Sequence, residues 1–452
     1  MHDADGDVKD RWVRWVWQVW EVWEVWEVWW ERWGRWVHAA RCVPALAAAA
    51  GMFAASPAAL AQPATPTAVV APGHGETRAY VACNGATVVD IAPANAAGLS
   101  HNRYDSFHVD ARGLVLNNAG SAQAPSRLAG AIAANPILAN PDSANPIAAN
   151  PTAGAPATVI LNEVVGTARS RLEGTIEVHG GKADLILANP HGIGCMGCDF
   201  VNTDRVTLTT GIAQSIAGET ALAFAVRQGD IDIRDLKATA QKQLDLVART
   251  VRIRGTSNVP DLLIGAGINR FRHAERDVEP LAAASGAEAP APLAAAPRAP
   301  PRIAVDVAVR QPASAGGMYA DRIHLVSTEA GVGVRIAGGG ITSAGDIVLS
   351  SAGHARLGRM WTGRDLSIAG TGNIHLRGPQ IARRDMAVRA DGRLLHPQRL
   401  RAARNFSAHA QGVPVDGARH QPPLPSPPLP LLSPPLSPAF TPRASHAVRP
   451  LP

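Results

Sequence analysis

The sequence predicts an all-β protein built as a solenoid of stacked coils, a parallel β-helix. Three observations predict this fold: short segments alternate apolar and polar residues, one polar residue recurs at a nearly constant interval, and aromatic residues are scarce. Ten of the eleven tryptophans lie between Trp12 and Trp36, and beyond them only Trp361 remains. A compact core of this size normally contains more aromatic side chains, whereas the thin core of a solenoid needs few.

Residues 79–275 are dense in short strand segments. Apolar and polar residues alternate with a period of two, which is typical of strands with one buried face, and each segment is bounded by Gly, Asn or Asp. Examples lie at residues 175–179, 206–209, 231–233 and 251–253. A long amphipathic helix is not predicted anywhere.

A polar residue before a strand recurs in the second half of the chain. It is Asp346, Asp365, Asp385 and Asn405, at intervals of 19, 20 and 20 residues. A fixed period near 20 is typical of a solenoid in which each coil contacts only its neighbours. A β-sandwich would not hold this spacing. We therefore expect the strands at residues 323–326, 347–349, 366–368 and 386–388 to stack in one parallel sheet.

Residues 1–61 contain an extended N-terminus and a secretory signal peptide. A basic flank precedes a short apolar run at residues 43–55, and Ala59-Leu60-Ala61 forms a small-x-small cleavage site before Gln62. This order is typical of a signal peptide, and the apolar run is too short to span a bilayer. We predict cleavage between Ala61 and Gln62.

The mature chain divides into regions of different composition. Residues 62–78 are a Pro/Thr/Ala-rich lead-in, and residues 79–275 carry the first strand segments. Residues 276–302 have the composition of a flexible Ala/Pro linker, and residues 303–412 resume the strand pattern. Residues 413–452 are rich in Pro, and we expect a disordered tail.

Several sequence motifs follow one another in a fixed order after residue 88. They lie at residues 89–102, 104–109, 113–118, 160–164, 188–193, 195–203, 207–211, 316–320 and 323–334. Together they resemble the two-partner-secretion, or haemagglutination-activity, domain of filamentous haemagglutinin and other TpsA-type exoproteins. The resemblance covers roughly residues 80–275 and 303–370, which is more than half of the chain.

The resemblance implies a right-handed parallel β-helix with an N-terminal cap. It also implies that a TpsB-type outer-membrane transporter recognises the domain in the periplasm, and that the chain is secreted or held at the cell surface. Residues 79–275 correspond to the two-partner-secretion domain, and residues 303–412 to the first filament repeats. Members of the family act as adhesins or as carriers of contact-dependent toxins.

Two Asn-Pro motifs are the candidate recognition sites. Asn189, Pro190, Gly192 and Ile193 form an Asn-Pro-x-Gly-Ile motif, in which His191 replaces the Asn that the family has in the third place. Asn and Gly accept a left-handed backbone and Pro fixes φ, so these residues first predict a tight turn. The resemblance adds a role in presentation to the transporter. We expect both.

The second motif is Asn135-Pro136. It lies in a run where Asn-Pro recurs at Asn140, Asn145 and Asn150, each time after five residues. This spacing indicates local duplication. The sequence alone therefore does not show which Asn-Pro copy is the functional motif.

Cys195 and Cys198 form a Cys-x-x-Cys motif with three interpretations. A zinc site needs a second pair of ligands at suitable spacing, and a thioredoxin-like site needs a βαβ unit; neither is predicted here. A short-range disulfide formed in the oxidising periplasm is the preferred interpretation. We expect no metal ion and no cofactor.

Enzymatic activity is not expected. Some β-helices cleave polysaccharides with clustered carboxylates, and Asp230, Asp232 and Asp235 are close in sequence. Asp230 and Asp232, however, flank Ile231 in an alternating strand, so they are predicted to face the solvent. No nucleophile motif or phosphate-binding loop is present.

The formal net charge is +6, and the basic residues are spread along the chain without a cluster. Nucleic-acid binding normally requires a clustered basic face, so no nucleic-acid partner is expected. A diffuse positive surface is compatible with host-cell glycans or receptors.

The leading hypothesis is a secreted, haemagglutinin-like adhesin that carries a two-partner-secretion domain. The alternative is the stalk of a contact-dependent toxin-delivery protein that lacks its toxin end. A polysaccharide-active β-helix enzyme is the third. Because the strand pattern stops after Ala408 and a Pro-rich tail follows, we also expect a truncated relative of the longer filaments.

Overall fold

The computed structural model describes residues 66–71, 77–121, 124–139, 155–215, 222–236, 241–254, 257–281, 302–307, 318–331, 333–338, 340–395 and 400–411. All of them belong to one compact unit, Thr65–Pro452. The predicted cleavage site at Ala61 and Gln62 and the Pro-rich tail lie outside the described residues. Within the described ranges, no helix combines the length and the apolar character needed to cross a membrane.

The described strands form a parallel β-helix, because successive strands along the chain pass from one sheet to the next and then return one level higher. The largest sheet, sheet A, is parallel except for its first strand, which pairs antiparallel. Its strands, in spatial order, are Ala68–Val70, Leu99–Phe107, Val159–Val164, Asp184–Ala188, Arg205–Thr209, Gln243–Ala248, Asp261–Ala266, Arg322–Ser327, Ile347–Ser351, Leu366–Gly370, Met386–Ala390 and Phe406–His409.

Sheet B follows sheet A in each coil and is parallel throughout its described strands. Its strands are Ser170–Leu172, Ile193–Met196, Asp230–Arg234, Thr250–Arg254, Arg302–Val307, Gly333–Gly338, Ala355–Leu357, Ile374–Leu376 and Leu394–Leu395.

Sheets C and D occupy the third place in the coil, with sheet C in the N-terminal coils and sheet D in the C-terminal coils. Sheet C contains Arg78–Val81, Thr87–Asp90, Leu114–Asn118, Thr175–Gly180 and Asp199–Val201. Sheet D contains Ser257–Asn258, Met318–Ala320, Ile341–Ser343, Met360–Thr362, Gln380–Ala382 and Leu400–Ala402. The antiparallel strands Ala68–Val70 and Arg78–Val81 close the N-terminal edges of sheets A and C, which is the expected cap.

The predicted stacking of the repeat strands is confirmed. In sheet A, Ile347 pairs with Ile323 below it and with Leu366 above it, and Leu366 pairs with Met386. The structure also explains the polar repeat. The amide of Asp365 donates to the carboxylate of Asp346 at 3.0 Å, and the same bond links each later coil to the one before. A side-chain oxygen that accepts this amide therefore recurs once per coil.

The core is aliphatic, as the composition predicts. Alternate residues of each strand point inward, so that Leu366, Ile368 and their equivalents in the other coils form one continuous hydrophobic cluster. A separate antiparallel sheet, sheet E, packs on the outward side of sheet A. It contains Ile212–Ser215, Leu222–Val226, Asn269–Arg272 and Asp277–Pro280.

Ordered structure extends beyond the boundaries that the composition suggested. Strand Ala68–Val70 lies in the expected lead-in, and strand Asp277–Pro280 lies in the expected linker. Strand Arg302–Val307 pairs with Thr250–Arg254, so sheet B continues across the linker. Asp277–Pro280 is a short edge strand of sheet E, and such a strand needs few apolar residues because one partner strand and its hydrogen bonds hold it.

Candidate functional site

The turn at Asn189 is built around one buried side chain. The Asn189 side-chain oxygen accepts the amide of His191 at 2.9 Å, and its amide group donates to the Ala168 carbonyl and the Ser170 hydroxyl, both at 2.9 Å. Its backbone amide donates to the carbonyl of Thr209 at 2.9 Å. Asn189 is fully buried. It therefore joins its own turn to the coils on both sides.

Gly192 is required by the backbone of this turn. Its φ is +106°, a conformation that L-residues rarely adopt. A Cβ there would lie 2.9 Å from the carbonyl oxygen of Asp230 and 2.7 Å from the Arg169 guanidinium. That guanidinium donates to the carboxylate of Asp230 at 2.8 Å and to the carbonyl of Ile193 at 2.7 Å.

The turn at Asn135 repeats the same arrangement. The Asn135 side-chain oxygen accepts the amide of Ile137 at 2.9 Å, and its amide group donates to the carbonyls of Ile91 and Asn117, both at 2.9 Å. Asn135 is fully buried, while Pro136 begins a four-residue helix, Pro136–Ala139, on the surface. The two motifs thus share one structural role in different parts of the fold.

Glu177 holds the segment that carries Asn135, a role that no sequence motif indicates. Its carboxylate is buried in sheet C and accepts the Ser126 hydroxyl at 2.8 Å and the amides of Arg127 and Leu128 at 2.9 Å each. Segment 124–139 therefore lies over the outward side of sheet C, where Ala129 joins an apolar cluster with Val88 and Val115. The acceptor and its donors are about fifty residues apart, so no local pattern reveals the pair.

The Cys195–Cys198 disulfide is present, with the two Cα atoms 5.4 Å apart. Both cysteines belong to the main hydrophobic cluster. Cys195 lies on strand Ile193–Met196 of sheet B, and Cys198 directly precedes strand Asp199–Val201 of sheet C. The disulfide therefore fixes the corner that follows the Asn189 turn.

Buried ion pairs link sheet E to sheet A. Asp245 is fully buried on the outward side of sheet A and accepts Arg205 at 2.8 Å and Arg276 at 2.9 Å. Arg276 also pairs with Asp261 at 2.8 Å. His273 lies beside this cluster, where burial first and then Arg205 and Arg276 lower its pKa to about 3. The cluster includes Arg276, the first residue of the expected linker.

Two of the three carboxylates considered for catalysis, Asp230 and Asp232, are engaged in ion pairs. Asp230 pairs with Arg169 at 2.8 Å, and Asp232 lies 3.3 Å from Arg234 and 3.4 Å from Arg254. Both face outward from sheet B, as the alternation predicts. In the described ranges, no group of three His, Cys, Asp or Glu side chains is arranged to hold a metal ion.

A capped parallel β-helix, in which buried asparagines hold the two Asn-Pro turns, places the chain in the class of β-solenoid proteins. A family profile for the TPS secretion domain matches residues 67–357. The chain belongs to the TPS secretion domain family.

Several relatives carry the same region. A tRNA nuclease CdiA of Escherichia coli (strain STEC_O31) is 36% identical over 321 residues, which cover 70% of this chain and 9% of that protein. The filamentous hemagglutinin of Bordetella pertussis is 36% identical over 311 residues, which cover 67% of this chain and 8% of that protein. The chain thus spans less than a tenth of the length of these relatives.

A solved structure agrees with the fold. The crystal structure of the filamentous hemagglutinin secretion domain matches with a TM-score of 0.53 and 30% sequence identity. The match covers 76% of this chain and 99% of that one. The secretion-domain fold is therefore present over nearly its whole length.

Proposed function

We propose that the N-terminal coils are the signal by which a secreted exoprotein is recognised in the periplasm by a TpsB-type outer-membrane transporter. The observation that carries the proposal is the match of residues 67–357 to the TPS secretion domain. The nearly complete coverage of a solved secretion domain supports it.

The two Asn-Pro turns contribute to recognition through their backbone shape. Asn135 and Asn189 are fully buried, and their side chains form hydrogen bonds with neighbouring coils. These side chains are therefore not a contact surface. The exposed Pro136 and the half-buried Pro190 and His191 are accessible instead. The transporter contacts the surface of the turns, whose shape the buried asparagines stabilise.

Export is tested by expressing the full chain in a Gram-negative host with and without the TpsB-type transporter encoded in its own genome. We expect the chain in the culture supernatant only with the transporter, and in the periplasm without it. Equal amounts in the supernatant under both conditions would contradict the proposal.

After export, the chain acts as a haemagglutinin-like adhesin that binds host-cell glycans or receptors. Its likeness to the Bordetella filamentous hemagglutinin supports this role. The likeness to CdiA proteins, two of which are called toxins, supports the second candidate, the stalk of a contact-dependent toxin-delivery protein. Binding of the secreted chain to erythrocytes separates the two, since only an adhesin binds them by itself.

No catalytic step and no cofactor belong to the proposed function. The pairing of Asp230 and Asp232 with arginines supports this, because a catalytic carboxylate needs free access to its substrate. Release of reducing ends from acidic or neutral polysaccharides by the purified chain would contradict it and favour a β-helix enzyme.

A further inference from the structure

The last described coil leaves part of the hydrophobic core exposed. Its strands Leu394–Leu395, Leu400–Ala402 and Phe406–His409 are terminal strands of sheets B, D and A, so within the described residues each has a neighbouring strand on one side only. Phe406 pairs in register with Met386 of the coil below, and Met386 is 2% exposed. Phe406 packs against the same hydrophobic cluster but is only half-buried.

We call this surface the open end of the solenoid. Its residues are half-buried and pack against the core; they are Leu400, Ala402, Phe406, Ala408 and Ala410. The last strand of a sheet also presents a row of backbone amides and carbonyls to any chain that lies beside it, and proteins cover or block such edges. A solenoid in particular needs a cap on its terminal coil.

The chain leaves the last coil at the edge of this surface. The amide of Gln411 donates to the carbonyl of Gly392 at 3.0 Å, so the backbone at Gln411 lies one level above Gly392, at the corner that leads to sheet B. Residues 412–452 follow and lie outside the described residues. Ten residues of extended chain reach at most about 33 Å, roughly three times the distance of about 10 Å between packed sheets. Residues beyond 420 therefore have enough chain to return over the open end.

Residues 421–440 have a composition that suits the open end. They contain nine prolines, five leucines and no charged residue. Proline has no amide proton and cannot extend a strand ladder, so it is suited to ending a sheet edge. Pro-rich segments also dock on apolar surfaces that contain an aromatic side chain, which Phe406 supplies here. Because such a segment has no internal hydrogen bonds, it can become ordered only against another surface.

A second copy of the chain is the competing occupant of the open end. The described part of the last coil has three exposed arginines, Arg393, Arg401 and Arg404, and one carboxylate, Asp391. A twofold contact between two open ends would bring the same arginines of both copies together, and like charges in contact repel each other. An uncharged segment of the same chain avoids this repulsion.

We propose that residues 421–440 fold back over the open end and cap the solenoid, with their leucines on the half-buried core residues and their prolines along the sheet edges. The cap shields the last coil from pairing with other chains. This inference concerns the C-terminal coils and goes beyond the proposed role of the N-terminal coils in export.

Hydrogen exchange of the purified full chain tests whether the segment protects the last coil. The variant Leu429→Asp/Leu432→Asp places two charges in the segment, and the matched control Val448→Asp/Leu451→Asp makes the same change of charge beyond it. We expect amides in residues 400–409 to exchange at least fivefold faster in the first variant than in the wild type, and within twofold in the control. Equal exchange rates in the two variants would overturn the proposal.

Photo-crosslinking identifies the occupant directly. Benzoylphenylalanine in place of Leu432 should crosslink to residues 394–410 of the same chain, and benzoylphenylalanine in place of Val448 should give at most a tenth of this product. A mixture of isotopically heavy and light chains distinguishes the two occupants. Crosslinks between heavy and light chains would identify a second copy at the open end, and would overturn the proposal. Crosslinks from position 432 mainly to other regions, or none to residues 394–410, would overturn it as well.

Discussion

Buried asparagines determine the shape of the two turns because one amide side chain satisfies several backbone groups at once. Asn189 and Asn135 each accept an amide two residues ahead and donate twice to other coils. Buried backbone groups without a partner are costly. This explains why Asn, and not Asp or Ser, suits both positions: it combines an acceptor with two donors.

Replacing Gly192 is expected to disturb the turn, whereas replacing Gly194 is not. Gly192→Ala places a Cβ near the carbonyl oxygen of Asp230 in a left-handed backbone, which costs about 1–3 kcal/mol. A Cβ on Gly194 has its nearest neighbour at 3.6 Å, an ordinary contact. Urea unfolding and the secreted amount are the measurements. A Gly192→Ala variant as stable and as well exported as Gly194→Ala would contradict the role of the turn.

Glu177→Gln is expected to loosen segment 124–139. The amide group of Gln turns a donor toward the hydroxyl or amide donors that the carboxylate accepts, and the lost hydrogen bonds weaken the segment by about 1–3 kcal/mol. Limited proteolysis should cut within 124–139 several-fold faster than in the wild type. The exposed Glu173→Gln is the control. Identical cleavage rates in both variants would show that Glu177 does not hold the segment.

Elements that pack on the outside of the coils are held by specific contacts, which makes them sensitive to conditions that leave the stacked core intact. Sheet E rests on an apolar cluster that includes Phe224 and Phe271, and on the buried pairing of Asp245 with arginines. The disulfide similarly fixes one corner through a short loop.

Acid is expected to destabilise the protein through His273. Its pKa is lowered from 6.5 to about 3, chiefly by burial, so below pH 6.5 the unfolded state binds a proton that the folded state does not. The contribution of His273 to the free energy of unfolding is complete above pH 6.5. It is lost as the pH falls toward 3, by at most about 1.4 kcal/mol per pH unit. Urea unfolding at pH 7.5 and 5.5 should show that His273→Gln loses less free energy of unfolding between the two pH values than the wild type does. Equal losses would contradict this assignment.

The disulfide is expected to form in the exported protein. Both sulfurs lie in the apolar core, and the periplasm is oxidising. Alkylation without reduction should leave Cys195 and Cys198 unmodified, and alkylation after reduction should label both. Peptide mass spectrometry distinguishes the two states. Labelling of both residues without prior reduction would show that the bond is absent in solution.

Stacking of coils makes the whole molecule a series of neighbouring units, so damage should remain local. Ile368 is buried in sheet A of a C-terminal coil, far along the stack from the Asn189 turn. A charge there without a partner costs several kcal/mol, and this cost acts on one coil and its neighbours.

Ile368→Asp is therefore expected to unfold the C-terminal coils while the N-terminal coils persist. Hydrogen exchange should accelerate in residues 341–395 and remain slow in residues 155–215. Ser367→Asp is the control, because its side chain faces outward. Loss of protection along the entire described chain would contradict the solenoid behaviour and indicate one cooperative unit.

The sequence by itself determined the class of fold, because the information lies within a single coil. Alternation in a strand depends only on neighbours in the sequence, and Asp346, Asp365 and Asp385 align by their spacing alone. The tight turn at Asn189 and the Cys195–Cys198 disulfide were predicted for the same reason, since their partners are local.

Only the tertiary structure decided what depends on contacts between coils and between insertions. Glu177 accepts a hydrogen bond from Ser126, 51 residues away in the sequence. His273 is buried beside Arg205 and Arg276, and strand Asp277–Pro280 has no strand-like composition of its own. Strand register is the clearest case. Arg335 and Arg356 belong to different coils, and the register of parallel strands brings them side by side. Register is fixed by the packing of the coils, and no short window of sequence contains it.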